Sequence, residues 1–226
     1  MALSFIDTKN GETEGNSPRT VSTSAGINVS VGNLIVVTVA LSGASAATFG
    51  DVTDTAGNTF TKLAQIGSSM RHYYCIATAA NAADVFSCTI TYSSYGYLRI
   101  IASVYGTSGY TVTYNDSKNS TGYGTALDTP DVSSTTDNSI WVCGASASGP
   151  RTHSNQTIAG AAATVNAGTD GRINQFYRIL TSATTDDAQD TTGSDTSWAL
   201  ELLAFNATPA AGGLSIPVAM YHYKEH

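Results

Sequence analysis

The chain has 226 residues, long enough for one large core, and 42% of them are apolar, yet no run nears the roughly 18 apolar residues of a membrane helix. Ten Lys and Arg against 17 Asp and Glu give a net charge of -7, which repels phosphate backbones and argues against a nucleic-acid partner. Only 12% of residues are charged, so Ser, Thr, Asn, Gly and Tyr must cover the surface, a composition suited to display outside cells or on a particle.

Met1–Asp7 has neither the basic start nor the apolar centre of a secretory signal, and no strand is predicted before Arg19. From there, β-branched and aromatic runs alternate with Gly, Asn, Asp and Ser clusters, and no segment has good helical spacing. Strands are predicted near Arg19–Ser24, Asn33–Leu41, Phe49–Thr53, Thr59–Ile66, Arg71–Thr78, Phe86–Tyr92, Leu98–Tyr105, Thr111–Asn115, Ser139–Ala147, Asn174–Leu180 and Trp198–Phe205. Leu34–Leu41 is apolar on both faces, as in a strand covered on both sides. Asp54–Asn58 reads as a turn in which Gly57 and Asn58 best tolerate positive φ. Thr181–Ser197, with Asp186, Asp187, Asp190 and Asp195, reads as a long surface loop. About ten strands need two packed sheets, so residues 1–208 are expected to form a single all-β domain, an antiparallel β-sandwich of jelly-roll-like type.

After Pro209–Gly213, a flexible hinge, Leu214, Ile216, Val218 and Met220 alternate onto one face of an extended strand, and Pro217 on the other face lacks an N–H. Residues 209–226 are therefore expected to be a hinge and an extended C-terminal arm laid on a partner, with Tyr221 and Tyr223 completing its contact set. Tyr92, Tyr95, Tyr97, Tyr105, Tyr110, Tyr114 and Tyr123 concentrate in one third of the chain, and fit an interface as well as plain strand packing.

The chemical motifs are weak. His222–His226 has the letters of an H-x-x-E-H zinc motif, but it lacks a surrounding amphipathic helix and a downstream ligand. Asp51, Asp54 and Asn58, or the Asp186–Asp195 acids, offer oxygens for calcium without the ligand density of an EF-hand, and turn capping is the favoured reading. His72 and His153 leave little material for a Ser-His-Asp triad, and glutamates are too scarce to favour a paired-carboxylate glycosidase. A hairpin over 71–93 would set Cys75 opposite Cys88, with packed thiols favoured over a disulfide; Cys143, Trp141 and Trp198 read as core. No cofactor is expected.

Gly32–Val39, Val52–Phe60, Tyr73–Thr78 and Ser197–Phe205, an apolar strand, a D-x-x-G-N-T-aromatic hairpin and a closing W-x-x-x-L-x-A-F strand, resemble the jelly-roll-like β-sandwich structural proteins of tailed-bacteriophage virions. The resemblance covers residues 20–206 and supplies no catalytic residues. It implies a non-enzymatic decoration or cement protein, made in the host cytoplasm and displayed on the capsid surface. The implied partners are the major capsid protein and further copies of the chain, a trimer by default, with neither membrane nor nucleic acid. A tail-fibre or adhesin module binding cell-surface glycans through the tyrosines is the alternative, and a secreted carbohydrate-active domain is the third.

Overall fold

The computed structural model describes residues 2–67, 69–166 and 171–210, and their regular structure is all β-strand. The first ten strands are β1 (Ser4–Gly15), β2 (Arg19–Ser22), β3 (Ile27–Val29), β4 (Leu34–Ser42), β5 (Thr48–Asp54), β6 (Thr61–Ile66), β7 (Met70–Ile76), β8 (Asn81–Asp84), β9 (Phe86–Thr91) and β10 (Gly96–Gly106). Their pairing is nested: β1 with β10, β2 with β9, β3 with β8, β4 with β7, all antiparallel. One long ribbon, folded at the β5–β6 connection, thus wraps into two facing sheets ordered β1-β10-β4-β7-β6 and β2-β9-β5, with β3 and β8 as a separate two-stranded piece. That wrapped ribbon is a jelly roll, as the sequence led us to expect.

The remaining strands are β11 (Tyr110–Asp128), β12 (Val132–Ser133), β13 (Asn138–Ala147), β14 (His153–Ile158), β15 (Ala161–Ala162), β16 (Thr164–Val165), β17 (Ile173–Leu180), β18 (Thr185–Asp186) and β19 (Ala188–Pro209). Nesting recurs, β11 with β19, β12 with β18 and β13 with β17, and β19 also pairs β13 and β14. The β11–β19 ladder breaks between the pairs Gly124–Thr196 and Ala126–Thr191. Beyond the break, Leu127 and Ala188 join Trp141, Cys143 and Phe176 in a second core. Arg178 of β17 donates to the Ile158 and Ala159 carbonyls at 2.7 and 2.8 Å, tying the rolled sheet almost shut.

The two wrapped ribbons pack broad face to broad face, and β4 shows why. Its Ile35, Val37, Val39 and Leu41 enter the first core. Leu34 and Val36 point the other way, against Ile140, Val142, Leu203 and Phe205. Each fully buried aliphatic side chain contributes about 1.5–3 kcal/mol. A strand with two apolar faces is therefore stable only when both are covered, and all nine residues of β4 are buried.

Several expectations need correction. Thr181–Ser197 is not a surface loop, because Ala188, Asp190 and Thr192 alternate inward from β19. The stretch before Arg19 forms β1, an edge strand on β10. Cys75 does not face Cys88: β7 pairs β4 and β6 while β9 pairs β2 and β5, so the two thiols sit in different sheets. All three cysteines are free and buried, and burial pushes Cys75 up to about 12 and Cys88 up to about 11, leaving them protonated at neutral pH. Gly57 takes φ 82°, as expected, whereas Asn58 does not adopt a positive φ.

Candidate functional site

The strands run between two ends of the molecule. At one end, the base, Ser4 pairs Gly106, Tyr110 pairs Pro209, and Ala210 N–H donates to the Gly109 carbonyl at 2.8 Å. At the other, the tip, Tyr97 pairs Ser42 and Gly122 pairs Trp198. Eleven residues of β19 separate Trp198 from Pro209, about 36 Å at about 3.3 Å per residue. Among the described residues the first strand, β1, begins and the last, β19, ends at the same end. Leu214, Ile216, Pro217, Val218, Met220, Tyr221 and Tyr223, with the His222–His226 motif, lie outside the described residues.

Between the two sandwiches runs a line of buried polar groups. Asn166 Nδ2 donates to Ser103 Oγ at 3.0 Å, Ser103 Oγ donates to Gln175 Oε1, and Gln175 Nε2 donates to Thr38 Oγ1 at 2.8 Å. Thr38 Oγ1 lies 3.1 Å from His72 Nδ1, the one acceptor for its proton among the described residues, and so donates here. The proton of neutral His72 is then on Nε2, which faces Glu201 Oε2 at 3.8 Å, too far for a hydrogen bond. Burial lowers His72 to about 3. Burial also raises Glu201, with Ser117 and Arg71 opposing it, to about 7. Both groups are uncharged between those two values. Gly144 makes the room: a Cβ on it would stand 2.3 Å from His72 Cε1.

A second histidine sits in the outer layer. His153 Nδ1 bonds Asp190 Oδ2 and its Nε2 bonds the Gly171 carbonyl at 3.0 Å. Asp190 also accepts from Gln156 Nε2 at 2.9 Å and Thr191 N–H at 2.8 Å. Burial pulls His153 down, but the Asp190 carboxylate and the Gly171 carbonyl outweigh it and the net shift is upward. Both ring nitrogens therefore act as donors. This His–Asp pair resembles half of a triad, but neither nitrogen is free to take a proton from a nucleophile. Sequence reasoning missed it because Asp190 reads as a loop acid.

Two further carboxylates have acidic neighbours: Asp84 is raised by burial and then by Asp54, and Asp128 by burial and then by Asp187. Asp54 Oδ1 accepts from Gly57 and Asn58 N–H at 2.7 Å each, so Asp54 and Asn58 build the turn, while Asp51 meets Lys62 at 3.1 Å on the surface. Among the described residues no three His, Cys, Asp or Glu side chains are grouped to hold a metal.

The tyrosines do not share one face. Tyr92 is buried, its hydroxyl donating to the Gly15 carbonyl at 2.9 Å, and Tyr105 is buried beside Asn166. Tyr114 stacks on Tyr74 with centroids 5.1 Å apart, near the base, where Tyr110 also lies. Tyr95 and Tyr97 meet edge to face at 5.6 Å at the tip, with the Arg172 guanidinium 4.2 Å over Tyr97, and Tyr123 is exposed there. Trp141 is fully buried, whereas Trp198 is only partly so. Comparison with protein-family models, with curated proteins and with solved structures finds no match to this chain.

Proposed function

We propose that the chain is a non-enzymatic structural protein of a bacteriophage virion, a decoration or cement protein that docks on the capsid shell by its C-terminal arm. The observation that carries this reading is the place of Ala210, the residue from which the hinge and arm sequence continues, at the base, where β1 also begins, with the tip about 36 Å away. A module tethered at one end and displayed at the other fits attachment to a surface better than catalysis. The alternating Leu214–Met220 segment beyond Ala210 suits addition as a strand to a neighbouring sheet edge, where main-chain bonds give affinity and side-chain pockets give register. Repetition around a symmetry axis, as a trimer, would turn weak single contacts into stable attachment. The low charged share and the sequence resemblance support the same setting.

The test compares the full chain with a version ending at Ala211 in binding to purified capsid shells that lack the protein. The full chain is expected to co-sediment with shells and the shortened one to stay in solution with an unchanged melting temperature. Equal behaviour of the two, bound or unbound, would overturn docking through the arm.

A further inference from the structure

The seam between the two sandwiches is packed from the base through the His72 network, and then opens. At the tip a cavity of about 410 Å³ lies between Ser42 of β4, Ser146 of β13, Gly122 of β11 and Trp198 of β19. This size falls within the range of about 300–1,000 Å³ usual for small-molecule sites, and junctions between packed units are where such sites concentrate. Among the described residues its lining holds no Asp, Glu, Lys, Arg or His. A charged ligand would enter without a counter-charge and lose its hydration.

The walls are not simply apolar. Behind its surface Ser42 Oγ, Ser146 Oγ and Trp198 Nε1 are buried polar atoms with no partner among the described residues. Ser42 is 8% exposed and Ser146 2%, on strands of different sandwiches. The lining hydroxyl residues open to the cavity are Ser69, Thr121, Ser148 and Ser197, none of them buried, and hydroxyls so placed can exchange hydrogen bonds with a hydroxylated ligand. The indole is held deliberately: a Cβ on Gly122 would stand 2.5 Å from Trp198 Cζ2, so only glycine lets the ring lie across β11. Gly43 plays the same part for Tyr97, whose ring would be 3.2 Å from a Cβ there.

One aromatic flank, uncharged walls and open serine and threonine hydroxyls match a pyranose, whose C–H face packs on a ring while its hydroxyls exchange hydrogen bonds. We propose that this tip cavity is a binding site for a neutral saccharide. It stands at the end opposite Ala210, so the binding is open to solution when the base is docked. The proposal does not depend on that docking.

The experiment uses the full chain in solution. Tryptophan fluorescence is followed while neutral trisaccharides of glucose, galactose, mannose or N-acetylglucosamine are added to about 10 mM, a range that captures millimolar affinities, with sialyllactose as the anionic counterpart. The chain has two tryptophans, and Trp141 is fully buried in the core, so a saturable change reports Trp198. At least one neutral sugar is expected to give such a change. Thr121→Trp, at an exposed position on the cavity rim, is expected to weaken it about tenfold or more while the melting temperature holds. Trp198→Phe keeps an aromatic ring, removes the Nε1 donor and should abolish the signal, with binding followed instead by NMR line broadening of the sugar and weakened several-fold. No response to any neutral sugar, a response to sialyllactose alone, or binding untouched by both substitutions would overturn the proposal.

Discussion

Glu201 and His72 face each other without a bond, and their shifts oppose one another in pH. Glu201 is raised from 4.5 to about 7, so its contribution to stability is complete below pH 4.5 and is lost as pH rises through 7. His72 is lowered from 6.5 to about 3, so its contribution is complete above pH 6.5 and is lost as pH falls through 3. Between pH 4.5 and 6.5 the two slopes cancel. Glu201→Gln should expose the histidine slope, so that stability relative to the parent chain rises by about 1.4 kcal/mol per pH unit there and reaches a gain of about 3 kcal/mol at pH 8. Urea unfolding at pH 4 and pH 8 measures this; a constant difference between the two proteins would contradict it. His153 acts with the opposite sign to His72. Its raised value means the His153–Asp190 bond stabilises most at low pH and fades as pH climbs through the folded value. His153→Ala strands a buried carboxylate and should cost about 3 kcal/mol at pH 6, less at pH 9. An equal loss at both pH values would show that the ring matters by packing alone.

The elements legible in the sequence were those whose burial is carried by apolar residues. β4 announced both of its covered faces, and β9 its single one, because Val, Ile, Leu, Phe and Cys occupy the inward positions. β1 escaped because it is an edge strand of Asp, Lys, Thr and Glu, charges that discourage further pairing. The first half of β19 escaped because its inward residues, Ala188, Asp190 and Thr192, alternate with period two but are small or polar. The Cys75–Cys88 hairpin failed for a topological reason: β8 intervenes and pairs β3, so neighbours in sequence become partners across a wrapped ribbon. The candidate sites were less legible still, since the His153–Asp190 pair and the tip cavity are assembled from strands far apart in the chain. One element-level consequence concerns β13. Gly144→Ala would press a Cβ to 2.3 Å from His72 Cε1 and 2.9 Å from Thr38 Cγ2, both buried, and should destabilise by about 1–3 kcal/mol in chemical unfolding. A neutral outcome would mean the seam can spread.

At the scale of the whole molecule, two wrapped ribbons share a seam whose sections differ in kind: aromatic and aliphatic at the base, a polar chain in the middle, a cavity at the tip. β1 begins and β19 ends at the base, and a cavity lined by uncharged described residues opens at the other end. This polarity follows from the nested pairing, which returns the last strand of each ribbon beside its first. It gives the docking proposal an orientation as well as a segment. The most direct measurement is electron cryomicroscopy of the full chain bound to purified capsid shells. The account predicts density at regular lattice positions with the Ser4, Gly106 and Ala210 end against the shell and the Trp198 end facing outward. Density attached by the tip, by the exposed edge of β1, or at no lattice position would contradict it.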